Sequence, residues 1–219
     1  MTLPTGSTAP AGPVPGRTGA GGLRPWIRAT GSAGRADRPA APRAAVLFDR
    51  DGTLVHDVPY NGDPGAVRLV AGAAAAVAAL RSAGVRVGVV SNQSGVARGL
   101  LTRGQVDAVN RRIDTLLGTI DVWAVCPHGP EDGCRCRKPA PGLVLAACRV
   151  LGVAPRRAVV IGDIGSDCAA AEAAGAFPVL VPGPVTRAEE TAAARSVADD
   201  LAAAVRLALG RLLPAGRPS

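Results

Sequence analysis

Asp49 and Asp51 stand two residues apart in Phe48-Asp49-Arg50-Asp51-Gly52-Thr53, directly after an apolar run over 44–48. Where a strand gives way to a turn, with Gly52 permitting the bend, the two carboxylates leave the backbone close together and each repels the other's charge. A divalent hard cation held by oxygen ligands relieves that repulsion and neutralises a phosphate as well. A lone Asp-x-Asp pair is also an ordinary turn or cap, because Asp is common in loops. Three further clusters add weight. Val89-Val90-Ser91-Asn92-Gln93-Ser94-Gly95 offers a hydroxyl, amides and backbone donors to an oxyanion. Arg137-Lys138-Pro139 places two cations just before an expected helix, where they can neutralise a phosphoryl group. Gly162-Asp163-Ile164-Gly165-Ser166-Asp167 puts Asp163 at the end of an apolar run, with Asp167 able to cap or orient within the first helical turn.

A second kind of chemistry lies in Cys126-Pro127-His128 and Cys134-Arg135-Cys136, four soft or borderline ligands within eleven residues. Four ligands fit a closed tetrahedral structural zinc site with no open position for water. The N-terminus has no apolar stretch of signal-peptide type, so the expected setting is the cytoplasm, which disfavours disulfides. Cys148 and Cys168 fall on apolar helix faces and read as small buried hydrophobes. His56 has no such cluster around it and reads as a surface or loop residue.

These residues need elements to hold them. Short apolar runs over 44–48, 85–90, 121–125, 158–161 and 179–181 read as strands, continuous rather than alternating, as in strands covered on both faces. Helical patterns alternate with them: 73–82, closed by Gly84; 102–117, with a Thr102/Gln105 capping box, apolar Val106, Val109, Ile113, Leu116 and Leu117, and Gly118 as the stop; then 142–151, 166–174 and 199–212. Strand and helix in alternation predict an α/β fold, a doubly wound parallel sheet, whose ligands bind outside the carboxyl ends of its strands. Each cluster above follows, or lies close after, one of the predicted strands.

Composition limits the alternatives. Five aromatic residues (Trp26, Phe48, Tyr60, Trp123, Phe177) are too few for stacking platforms that bind single-stranded nucleic acid. The formal charge of +8 invites a polyanion-binding reading, but residues 1–43, with seven Pro, eight Gly, six Arg and one Asp, carry +5 of it. That stretch shows no period of 2 or 3.6 and is expected to be a disordered arm; residues 214–219 are expected to be a disordered tail. Residues 44–210 balance 17 basic against 16 acidic groups. A zinc-bearing nucleic-acid-binding protein, with arm and cluster acting together, is the competing class, and the near-neutral core weighs against it. No run of 18 apolar residues occurs, so no membrane-spanning segment is expected.

Taken together, FDRDGT, SNQSG, RKP and GDIGSD resemble the four motifs of the haloacid dehalogenase (HAD) superfamily over about residues 44–185. The resemblance implies a Rossmann-like phosphatase domain over 44–213. In it Asp49 is the nucleophile that forms an aspartyl-phosphate and Asp51 the general acid and then base. Ser91 bonds the phosphoryl group, and Lys138 neutralises it. Magnesium is held by Asp49, the main-chain carbonyl of Asp51, and Asp163. A zinc loop over 126–136 directly before RKP further resembles the branch of heptose-bisphosphate and histidinol-phosphate phosphatases, and implies a small phosphorylated sugar as substrate. By that resemblance Asp57, Tyr60, Asn92, Gln93, Ser94, Arg98 and Arg137 are substrate contacts. Ile164 stands where that branch usually has Lys, Ser91 where it usually has Thr, and the segment between His128 and Cys134 is shorter. Only about 20 residues separate Thr53 from the next helix, and the 42 residues from Gly95 to Cys136 are used by one helix, one strand and the zinc loop, so no large cap fits. A capless monomer whose loops exclude water is expected.

Overall fold

A computed structural model of the chain describes residues 24–30 and 44–213. Among these residues six strands form one sheet in the order β1-β4-β3-β2-β5-β6: β1 Trp26–Ala29, β2 Ala45–Phe48, β3 Arg86–Asn92, β4 Val122–Cys126, β5 Ala158–Gly162 and β6 Phe177–Leu180. β2 to β6 run parallel, and β1 pairs antiparallel with β4 at one edge. The helices are α1 Ala73–Ser82, α2 Arg103–Leu117, α3 Gly142–Leu151, α4 Gly165–Ala174, α5 Ala188–Ala193 and α6 Leu201–Leu212.

The strands are apolar throughout because both their faces are covered. Alternate side chains feed two cores: Val46, Phe48, Val87, Val89, Trp123, Val159 and Ile161 pack with α1, α2 and α6. Ala45, Leu47, Val90, Val122, Ala124 and Val160 pack with α3 and α4 on the opposite face. Chain order runs β2-β3-β4 outward on one side and returns to β5-β6 on the other, so the direction switches beside the central β2. The crevice at such a switch point is where doubly wound sheets bind ligands, and the ends of β2 and β5 carry Asp49 and Asp163 there.

The predicted α2 forms as expected: Thr102 Oγ1 accepts from Gln105 N at 3.2 Å, Gln105 Oε1 accepts from Thr102 N at 2.9 Å, and Gly118 ends the helix at φ 78. Three expectations need correction. The expected disordered arm over 1–43 does not hold for residues 24–30, whose Trp26–Ala29 form β1; the remainder of that arm, and the expected tail over 214–219, lie outside the described residues. The open edge of β4 supplies this strand's hydrogen bonds, and side chains fix it: Arg28 pairs with Asp114 at 2.7 Å, and Trp26 packs against Leu101, Val106 and Val125. The last strand begins at Phe177 instead of 179, because Pro178 sits on an edge strand that tolerates its missing N–H. The last helix begins at Leu201, with Asp200 as its cap accepting from Ala203 N. α5 carried no expectation. No helix among the described residues is long and apolar enough to cross a membrane.

Candidate active site and metal-ligand clusters

The turn after β2 aims both aspartates at one place. Asp49 N donates to Ile161 O at 2.9 Å, which ties the end of β2 to β5, and Gly52 N donates to Val55 O at 2.8 Å as the chain doubles back. Gly52 has φ 83, and a Cβ there would collide with the Asp163 carboxylate, so only glycine allows the turn to press against the second acidic strand end. Thr53 Oγ1 donates to Asp163 Oδ1 at 3.2 Å, and Thr186 Oγ1 donates to the Asp163 carbonyl.

Lys138 is the hub. Its Nζ lies 2.5 Å from Asp49 Oδ1, 2.5 Å from Asp167 Oδ1 and 3.0 Å from Val90 O, and the residue is buried. Burial opposes its charge, but the Asp167 and Asp49 carboxylates outweigh burial and hold its pKa above the usual value. Asn92 fixes the Lys138 backbone from both sides: Nδ2 donates to Lys138 O, and Oδ1 accepts from Lys138 N, each at 3.1 Å. Asp167 also accepts from Ile164 N at 3.3 Å, the capping role expected of it.

Asp49, Asp163 and Asp167 are all buried, and their carboxylate oxygens lie within 4.8 Å of one another. One ammonium cannot balance three such groups. Burial, opposed by Lys138 and reinforced by Asp167 and Asp51, pushes Asp49 up to about 8. Burial and Asp167 push Asp163 up to about 6. Hard oxygen donors short of positive charge are what magnesium requires, so the residues fit the ion.

Asp51 is gripped by the buried Arg50, whose Nη2 lies 3.0 Å from Oδ2, and by Gln93 Nε2 at 2.8 Å. Arg50 in turn donates to Asn110 of α2 at 3.1 Å. Ser91 is buried and accepts from Gln93 Nε2 at 2.8 Å. The cleft above measures about 550 Å³. Asp49, Asp51, Asp57, Tyr60, Asn92, Gln93, Ser94, Arg137, Lys138 and Asp163 all line it. Ser91 and Arg98 are not among the lining residues. Arg98 instead donates to the Oη of Tyr60, which lines the cleft, at 2.7 Å. Asp57 is held above the usual carboxylate range by burial and by the nearby charge of Asp51, with Arg50 opposing. His56 is exposed and Cys148 is buried among apolar groups; Cys168 is buried too, but with the carboxylates of Asp167, Glu172 and Glu190 near it rather than on the apolar face expected. Sequence reasoning missed Asn61 from the loop after β2, and Val185 from the loop after β6; no motif marks them, and only the fold brings the two loops together.

Beside RKP, the four zinc-type ligands converge. Sγ to Sγ distances are 3.4 Å (Cys126–Cys136), 3.6 Å (Cys134–Cys136) and 3.7 Å (Cys126–Cys134), and His128 Nδ1 lies 3.3 and 3.1 Å from the Sγ atoms of Cys126 and Cys136. A tetrahedral zinc with Zn–S bonds of about 2.3 Å sets its sulfurs about 3.8 Å apart, so the cage has nearly the right size. The hydrogen bond with Cys136 holds the Cys126 thiol down at about 5 against the effect of burial, and that contact together with burial pushes Cys136 up. Arg137 Nη1 donates to His128 O at 3.3 Å, which joins this loop to the wall of the cleft.

Comparison with known proteins bears on this arrangement. The HAD-hydrolase-like family matches residues 135–204. A D-glycero-beta-D-manno-heptose-1,7-bisphosphate 7-phosphatase of Rhodopseudomonas palustris is 38% identical over 147 residues, covering 62% of this chain and 82% of that protein. The enzyme of the same name from Pseudomonas putida is 35% identical over 173 residues, covering 74% of this chain and 97% of that protein. Among solved structures, the D,D-heptose 1,7-bisphosphate phosphatase of B. bronchiseptica, complexed with magnesium and phosphate, is 32% identical with a TM-score of 0.68, over 76% of this chain and 98% of that one. A putative HAD-like phosphatase from Mesorhizobium loti is 30% identical with a TM-score of 0.71, over 91% and 98%.

Proposed function

This chain belongs to the HAD-like hydrolases and is a phosphatase of that family, and from that premise we propose that it removes the 7-phosphate of D-glycero-D-manno-heptose 1,7-bisphosphate through a phosphoryl group carried on Asp49. The carrying observation is the convergence of Asp49, Asp163 and Lys138 at the switch point of the sheet, with Asp51 held beside them. The relatives named for that substrate, matched over 82% and 97% of their length, supply the substrate.

Asp49 attacks phosphorus; the bond from phosphorus to the sugar oxygen breaks as the Asp49 oxygen bonds to phosphorus, and Asp51 gives its proton to the departing sugar oxygen. Asp51, now a carboxylate, takes a proton from water as that water attacks phosphorus and the Asp49–phosphorus bond breaks. Inorganic phosphate leaves and Asp49 is regenerated. Lys138 neutralises the phosphoryl oxygens and, anchored by Asn92, keeps Asp49 aligned; Ser91 donates its hydroxyl to the same oxygens. Asp49, Asp163 and the main-chain carbonyl of Asp51 would hold magnesium, which would supply the positive charge that the carboxylates and phosphate together lack.

The Cys126–His128–Cys134–Cys136 cluster would hold a structural zinc, since four ligands leave no open position, none of the four lines the cleft, and the cysteines pack against the core on the α3 and α4 face. Bound there, the ion would fix the loop that Arg137 grips through His128 O and from which it reaches the substrate. Asp57, Tyr60 and Ser94 meet the sugar from the rim. A phosphate-release panel tests the substrate: both anomers of heptose 1,7-bisphosphate, histidinol phosphate and fructose 1,6-bisphosphate with magnesium. A heptose bisphosphate is expected to give the highest kcat/KM; a higher value for histidinol phosphate would overturn the substrate and leave the chemistry standing.

A further inference from the structure

Gln93 is 6% exposed and sits between the acid/base carboxylate and Ser91. We infer that Gln93 is a positioning residue that decides which oxygen of Asp51 exchanges the proton, an inference that rests on the phosphatase reading above. Its Nε2 carries two hydrogens and meets two acceptors, Asp51 Oδ2 and Ser91 Oγ, each at 2.8 Å, so both hydrogens are used. The Gln93 main chain is fixed as well, its N–H donating to Cys126 O at 2.7 Å. With the amide turned over, Oε1 would face the Asp51 carboxylate, acceptor against acceptor, so this orientation is the one the site supports when Asp51 is ionised.

Arg50 grips the same carboxylate from the other side. Its Nη2 lies 3.0 Å from Oδ2, and its Nε is shared between Oδ1 and Oδ2 at 3.0 Å each. Oδ2 therefore receives the Gln93 amide and Arg50 Nη2 besides its share of Nε, whereas among the described residues Oδ1 has only its share of Nε. Oδ1 is the oxygen with lone-pair capacity left, so it is the atom placed to exchange a proton with the substrate or water. In the first half-reaction the proton passes from Oδ1 to the sugar oxygen as the phosphorus–oxygen bond breaks. In the second, Oδ1 receives a proton from the attacking water. Ser91, accepting from Gln93, keeps its own hydroxyl hydrogen for a phosphoryl oxygen. One amide nitrogen thus sets the proton-bearing atom of Asp51 and the direction in which Ser91 donates.

The test compares esters that differ in their need for a proton. Gln93→Met keeps the length of the side chain and removes the donor. Its kcat/KM on the preferred sugar phosphate is expected to fall about 30-fold, with KM within about twofold of wild type, while kcat/KM on p-nitrophenyl phosphate falls less than about threefold, because nitrophenolate leaves without protonation. Gln93→Asn, which withdraws the amide by one methylene, is expected to show the same selectivity at smaller size; if Gln93→Met fails to fold, the ester ratio of Gln93→Asn decides. Equal losses on both esters, a loss carried by KM, or no loss in a folded variant would overturn the assignment while leaving the phosphatase intact. A wild-type protein that released phosphate from no ester would overturn both.

Discussion

The carboxylate centre collects Asp49 and Asp163 from strand ends over a hundred residues apart, whereas the Cys126, His128, Cys134 and Cys136 cluster closes within eleven residues. In the first, like charges are forced together by a sheet that exists for other reasons: the two apolar cores hold β2 beside β5, and the repulsion is left for Lys138 and a cation to relieve. In the second, Cys126 ends β4 and the other three ligands follow in a loop with little regular structure, so under the proposed reading a zinc ion would hold the loop's shape. Under that reading the same physical event, loss of an ion, would end catalysis at one place and order at the other.

The largest effect that would break this contrast is expected at Asp49. Asp49→Asn should lower kcat by at least about 10^4-fold, with zinc content and melting temperature kept, read by phosphate release, metal analysis and thermal melting. Asp51→Asn should cost about 10²- to 10³-fold on sugar esters, and its kcat/KM on p-nitrophenyl phosphate should be largely spared. The other region should answer in stability: Cys136→Ser is expected to cost about 3 kcal/mol, or roughly 6–12 °C in Tm, while the protein that remains folded keeps activity within about tenfold. If its Tm were unchanged, the cluster would not be the structural half of the pair. Asn92 joins the two regions through the backbone of Lys138, and Asn92→Ala, losing two hydrogen bonds, should cost about 1–3 kcal/mol in denaturant unfolding.

The smallest expected effect is one of pH. In the metal-free protein Asp49 is raised to about 8 and Asp163 to about 6, above the 3.8 of the unfolded chain, so the folded state binds protons more tightly. Their contribution to stability is full below about pH 4 and is lost as pH rises through about 6 and then 8. The Tm of metal-free protein should fall across that window, and magnesium should reverse the trend, since it binds the ionised carboxylates. A Tm that rises from pH 6 to 8 without magnesium would contradict the crowding of acids described here.

Much of this was legible in the sequence because the relevant signals are local. The apolar runs gave β2 to β5 nearly to the residue, and the Thr102/Gln105 pair gave the start of α2. The Cys/His cluster was readable as a unit because its ligands are neighbours in sequence. The carboxylate centre was readable only as parts at successive strand ends, joined by the rule for ligands in doubly wound sheets. β1 was missed because four residues in a Pro- and Gly-rich stretch carry no periodic signal, and their hydrogen bonds come from β4, nearly a hundred residues on. Asn92 and Gln93 were read as substrate contacts from their motif; the structure adds partners for their amides in Lys138, Asp51 and Ser91, which no spacing rule reveals. Arg50 was unread because a charged residue between two aspartates looks solvated, and only α2 with Asn110 makes it a buried clamp.

The proposed chemistry stands or falls on Asp49 carrying the phosphoryl group. The most direct measurement is rapid-quench mass spectrometry of the magnesium-loaded protein during turnover of its preferred sugar phosphate, with the adduct mapped by peptide. The expected result is a transient phosphoryl group on the peptide bearing Asp49, formed before free phosphate accumulates and absent from Asp49→Asn. Phosphate released at the full rate with no adduct at any time, or an adduct on a different residue, would contradict it.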